Sequence, residues 1–104
     1  SQERSSGYIE AERRIEHAFQ NEETELSLSL LFLTEIPESI AKLQNLQSLY
    51  LQNNQLANLP DSLGNLQNPQ SLYLQNNCFD VAEELYQRPP SEVIAYLLDL
   101  QRGE

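Results

Sequence analysis

"SLYLQNN" spans Ser48–Asn54 and returns letter for letter at Ser71–Asn77, a step of 23 residues. The same step carries Leu46 onto Pro69, Asn54 onto Asn77 and Leu56 onto Phe79. Taken backwards, it places Leu49, Leu51, Leu56, Leu59, Pro60, Leu63 and Leu66 on Leu26, Leu28, Leu33, Ile36, Pro37, Ile40 and Leu43. Each lands on an aliphatic residue or on the matching proline. A fixed period in this range marks a chain of stacked units, each too small to bury its own apolar face.

Within a unit, "LxLxxN" alternates like a short strand with one buried face. The segment opened by Pro37 or Pro60 spaces its apolar residues three and four apart, like a short helical stretch. A parallel neighbour needs a crossover of about a dozen residues or more, and the period leaves room for one. Strand, turn and crossover should therefore coil with the strands stacked on one side.

The stretch "LQSLYLQNNQLANLPDSLGNLQN" resembles a leucine-rich repeat of the common type LxxLxLxxNxLxxLPxxLxxLxx, and the likeness extends over about Glu23 to Phe79. The resemblance implies an α/β solenoid, a segment of a horseshoe with a concave parallel sheet. It also implies that Asn54 and Asn77 hydrogen-bond the turn backbone and tie successive coils into a ladder. Leu31 stands where the first unit would carry that asparagine, so the ladder is expected to begin one coil late and the first coil to be irregular. Pro69 replaces the leucine of the first repeat position; a proline is tolerated at a strand entrance but fills less space and donates no hydrogen bond.

Open solenoid ends expose apolar side chains, so the flanks should close them. "GYIEAERRIEHAFQ" puts Ala11, Ile15, Ala18 and Phe19 on one helical face. In "RPPSEVIAYLLDLQ", Ser91 is the expected N-cap behind Pro90, and Val93, Ile94, Leu97 and Leu98 follow at helical spacing. "DVAEELYQ" replaces the regular crossover of the third unit, with Val81, Ala82 and Leu85 expected inward. The organisation expected is one domain over 1–104: an N-terminal capping helix at 7–21, repeats at 23–45, 46–68 and 69–88, and a C-terminal capping helix at 91–102.

The flanks carry a second resemblance. "RRIEHAFQNEETELSLSLLFLTEIP" is similar to the segment that opens the repeat arrays of bacterial Roco-type multidomain proteins, and "PPSEVIAYLLDL" resembles the helix that often closes them. A Ras-like GTPase domain commonly follows in such proteins. Here there is no GxxxxGK[ST] phosphate loop, so the resemblance implies a recognition segment without the switch.

Charge narrows the partners. With 16 Asp+Glu against 6 Lys+Arg, the formal charge is −10, which disfavours nucleic acid and anionic lipid surfaces. Between Leu43 and Phe79 the one formal charge is Asp61; the other acidic residues lie in the flanks. The sequence shows no run of about 20 apolar residues for a membrane helix. It shows no basic segment followed by an apolar one at its start, and a cytoplasmic location is expected. Cys78 is the single cysteine, which leaves no internal disulfide.

Catalysis is not expected. His17 falls among charged neighbours on the first helix, and Cys78 follows the ladder asparagine with no identifiable base beside it. No cofactor or metal is expected either. Binding is the stronger reading. If the leucines of "SLYLQNN" point inward, Ser48, Tyr50 and Gln52 must point out onto the concave face, as must Ser71, Tyr73 and Gln75 one coil later. Stacking sets up columns: Glu25, Ser48, Ser71; then Ser27, Tyr50, Tyr73; then Ser29, Gln52, Gln75. Asn53 and Asn76 rim them. These residues form the expected protein- or peptide-binding surface, tyrosine being enriched at interface hot spots. The other reading is a structural or regulatory repeat segment of a larger Roco-type GTPase, touching its own neighbouring domains.

Overall fold

The structure, a computed structural model, describes residues 5–67 and 69–103. Both expected domain ends (residues 1–4 and 104) and the expected last residue of the second repeat, Asn68, lie outside these.

An α-helix, α1 (Ser6–Gln20), leads into three short strands, β1 (Glu25–Ser27), β2 (Ser48–Tyr50) and β3 (Ser71–Tyr73). Each strand is followed by a 3₁₀ helix, at Glu38–Lys42, Asp61–Asn65 and Glu83–Gln87. A final helix, α2, spans Pro90–Gln101. The strands form one parallel sheet in chain order, pairing Glu25 with Ser48 with Ser71, Leu26 with Leu49 with Leu72, and Ser27 with Tyr50 with Tyr73. The pairing register is thus the sequence period.

The backbone bonds just outside the strands repeat at the same step. Gln47 N–H donates to Thr24 O and Gln70 N–H to Gln47 O, both at 2.7 Å. Leu28 N–H donates to Tyr50 O at 2.8 Å and Leu51 N–H to Tyr73 O at 2.9 Å. Beneath the sheet the periodic leucines are buried: Leu28, Leu51 and Leu74, with Leu33 and Leu56 behind them.

The asparagine ladder forms, and its first member is Asn54, in the second coil. Asn54 Nδ2 donates to Leu28 O at 2.9 Å and Leu51 O at 3.1 Å, and its Oδ1 accepts from Leu31 and Leu33 N–H, both at 3.0 Å. The first coil needs only to offer its backbone, because the asparagine of the next coil reaches back. Asn77 repeats the pattern, bonding Leu51 O, Leu74 O and Leu56 N–H. Asn54 is the buried polar side chain of the core, and its amide is fully used.

Irregularity in the first coil takes a definite form. Asn53 and Asn76 occupy the left-handed region at φ 63° and 60°, which asparagine tolerates. One period back, Leu30 holds φ 61°, and two residues on Phe32 holds φ 56°. Both side chains are exposed, at 70% and 76%.

Helix α1 starts where Ser5 Oγ accepts from Tyr8 N–H at 3.1 Å, one turn of helix capped by a short hydroxyl. Ala11, Ile15 and Ala18 are buried, and the helix packs on β1 and on the 3₁₀ helix after it. Phe19 was expected on that face and is instead 43% exposed. One residue beyond the Ala11–Ile15–Ala18 stripe, it swings out and lies under the Lys42 ammonium, 4.7 Å from the ring centre. Gly7 permits the close seating of α1: a Cβ there would overlap the Leu31 carbonyl.

Helix α2 begins one residue earlier than expected, at Pro90, and Ser91 is not its N-cap. Pro89 holds that place and no side chain caps the turn; a proline at the first helical position loses nothing by lacking an N–H. Val93, Ile94, Leu97 and Leu98 are buried, mainly against the second 3₁₀ helix. Each such side chain contributes roughly 1.5–3 kcal/mol over the exposed state. A Cβ on Gly64 would stand 3.2 Å from Leu98 Cδ1, so the missing side chain sets this spacing. In the third crossover Val81 and Leu85 are half-buried, but Ala82 is exposed, because it serves as the N-cap of Glu83–Gln87.

Candidate functional site

The expected surface residues fall on the open face of the sheet, two residues apart along each strand. In β2 the burial alternates as half-buried Ser48, buried Leu49, half-buried Tyr50; Gln52 follows half-buried and Asn53 exposed. In the next coil Ser71 and Gln75 are half-buried, and Tyr73 and Asn76 are exposed. All eight therefore retain accessible surface, while Leu51 and Leu74 between them do not.

At the centre, the Tyr50 and Tyr73 rings stack, their centroids 4.9 Å apart and their planes within 3°. The strand spacing of about 4.8 Å dictates this: identical residues in register have to lie one over the other. The stacked pair presents one continuous aromatic surface. At the rim Asn76 Nδ2 donates to Asn53 Oδ1 at 2.7 Å, so the rim is tied between coils as well. Between the two, Gln52 Oε1 is buried without a hydrogen-bond partner. At the β1 end, where the sequence has Glu25 and Ser27 in place of serine and tyrosine, the surface becomes charged. Arg14 reaches in from α1 to donate to Ser27 O at 3.0 Å, and Ser27 and Ser29 hydroxyls lie 3.1 Å apart. Arg14 and Arg13 also share the Glu10 carboxylate, whose pKa these hydrogen bonds pull down from 4.5 to about 2.

The face therefore runs from a charged margin at β1 to a neutral, aromatic and amide surface over β2 and β3. That arrangement can hold a partner by contact area and by hydrogen bonds from amides and hydroxyls. His17 is exposed 3.8 Å from Glu23, and Cys78 is an exposed free thiol. Among the described residues no group of three or more His, Cys, Asp or Glu is placed to hold a metal ion, and no helix is long and apolar enough to cross a membrane.

Residues 44–86 match the family of Leucine Rich repeats (2 copies). Over that stretch the chain is similar to leucine-rich repeats, and the match takes in β2, β3 and all eight surface positions, Ser48, Tyr50, Gln52, Asn53, Ser71, Tyr73, Gln75 and Asn76. Helix α1, strand β1 and helix α2 lie outside it. Repeats of this family generally mediate contacts between proteins and are typically non-catalytic. No curated protein matches the chain.

Three features that shape the site are not legible in the sequence. Arg14 on Ser27 could not be anticipated, because it joins a helix to a strand edge across 13 residues. The Gln52 orphan oxygen and the Asn53–Asn76 bond depend on rotamers, which periodicity does not encode.

Proposed function

We propose that this protein is a short leucine-rich-repeat solenoid that binds a protein or peptide partner on its concave face, without catalysis and without a cofactor. In this reading α1 and α2 close the two ends of the array, and Ser48, Tyr50, Gln52, Asn53, Ser71, Tyr73, Gln75 and Asn76 form the contact surface. The observation that carries it is the Tyr50–Tyr73 stack. Two parallel rings already lie stacked on a neutral sheet face before any partner arrives. A preorganised aromatic pair gives up little conformational entropy on binding, and tyrosine is among the residues enriched at hot spots. The formal charge of −10 favours a partner with a basic or neutral contact surface in the cytoplasm over nucleic acid or membrane.

The test is a double variant, Tyr50→Ser with Tyr73→Ser, used as bait beside the parent chain. Folding should persist, because the residues beneath the sheet are untouched. Binding of a captured partner should weaken by roughly 2 kcal/mol or more. Undiminished binding would move the contact surface off this face.

A further inference from the structure

The two edges of the sheet are finished differently. Helix α1 packs against β1, whereas α2 packs on the second and third 3₁₀ helices, leaving the outer edge of β3 uncovered. Burial drops accordingly: Leu49 is 3% exposed, but its counterpart Leu72 is only half-buried. Phe79, Val81, Leu85 and Tyr86 are half-buried as well, so this end of the core is only partly covered.

The unused backbone groups at the edge can be read from the period. Leu28 N–H bonds Tyr50 O and Leu51 N–H bonds Tyr73 O; the next donor in the series, Leu74 N–H, has no partner among the described residues. Asn53 N–H bonds Gln75 O, and Asn76 N–H is likewise left over. Thr24 O and Gln47 O each accept from the following coil, while Gln70 O accepts nothing among the described residues. Leu33 and Leu56 N–H each donate to an asparagine Oδ1, and Phe79 N–H has no such acceptor among the described residues. These groups form a template for one more parallel strand.

We infer that the open β3 edge takes up an extended, basic segment of a partner protein as a fourth parallel strand. Apolar residues on its inward side would cover Leu72 and Phe79. The charge argument fixes the occupant. Asp80, Glu83 and Glu84 follow the strand, and no cation pairs with them among the described residues. A parallel strand brings its own C-terminal end to that side, so lysine or arginine placed just after it meets the carboxylates. A second copy of this chain would bring the same acidic end, at a net −10 on each partner. The site lies beside the concave face and stands independently of whether that face binds.

The probe is a synthetic peptide, QSLYLQNN followed by three lysines, tested against the full chain by calorimetry and by amide hydrogen exchange. Its partner probe ends in three glutamates. A third probe carries the lysines but is N-methylated at the amides that would donate to Gln70 O. The lysine peptide should bind and slow exchange at Leu74 and Asn76 by roughly tenfold or more, as strand addition does for newly bonded amides. The glutamate and N-methyl peptides should each bind about tenfold more weakly or worse. The triple variant Asp80→Lys, Glu83→Lys, Glu84→Lys should reverse the preference between tails. Any of three results would overturn the proposal: no binding of the lysine peptide, equal binding of both tails, or protection of Leu74 and Asn76 that appears with protein concentration alone. The last would make a second copy the occupant. Loss of binding in the concave-face variant, with peptide binding kept, would separate the two surfaces.

Discussion

Gln101 grips the backbone of Leu59 with both ends of its side-chain amide. Oε1 accepts from Leu59 N–H at 2.9 Å and Nε2 donates to Leu59 O at 2.6 Å, across 42 residues of sequence. The amide thus plays the part of a neighbouring backbone and fastens the last turn of α2 to the second coil. Arg102 adds an ion pair to Asp61 at 3.1 Å, but both partners are well exposed, so it contributes little. Replacing Gln101 by Ala strands two polar groups at a residue only 3% exposed, and should destabilise the fold by roughly 1–3 kcal/mol. Arg102→Ala should cost less than about 1 kcal/mol. Denaturant unfolding of both variants checks the order; a reversed order would mean that charge, not the amide, anchors α2.

Adjacent asparagines in the heptamer should differ sharply. Asn54→Ala leaves Leu31 and Leu33 N–H and the Leu28 carbonyl without partners, and should cost about 3 kcal/mol or more. Asn53→Ala removes one exposed hydrogen bond and leaves alanine in the left-handed region, a loss of about 1 kcal/mol. Thermal or denaturant melts that give equal losses would remove the ladder as the tie between coils.

Leu30 offers a stabilising change. It holds φ 61° with its side chain 70% exposed, where the two following coils carry asparagine. Leu30→Asn should therefore raise stability by about 1 kcal/mol, and Asn53→Leu should lower it by a similar amount. A melting temperature unchanged in the first and unchanged in the second would show that the turn does not strain the chain.

Acid should loosen α1 through a nameable group. Hydrogen bonds from Arg13 first and Arg14 second hold the Glu10 pKa at about 2, against 4.5 for the free side chain. A carboxylate with a depressed folded pKa contributes its stability above about pH 4.5 and loses it as the pH falls through 2. Glu10→Gln should accordingly be less stable than the parent near neutrality, with the gap closing between those two values. Melting curves of the pair across that window give the test, and a constant gap would rule out this carboxylate as its source. Comparing the pair also cancels the relief of self-repulsion that acid brings to so acidic a chain.

How much of this was legible from letters alone follows from what repeats. The strand positions, the pairing of Ser48 with Ser71, the inward leucines and the outward tyrosines all follow from a period of 23 and from side chains alternating along a strand. Asn54 and Asn77 were readable for the same reason, since a residue type that recurs at one place in each coil meets the same backbone each time. What stands outside the period was read less well. Helical spacing puts Phe19 on the buried face because it is blind to a neighbouring ammonium, and Ser91 has the residue type of a cap but follows a proline that already starts the helix.

By itself, then, the sequence determined the coil, its register and the two faces of the sheet, because each depends on separations of a few residues or of one period. Only the tertiary structure decided how the ends are closed. The backbone of Leu31 presses on Gly7, Asn54 reaches back to a coil without its own asparagine, Gln101 clasps Leu59, and the β3 edge stays open. The Gly7–Leu31 and Gln101–Leu59 contacts join chain segments whose separation matches no repeat, so their geometry is set by where whole helices come to rest, and that is fixed by packing over the entire core.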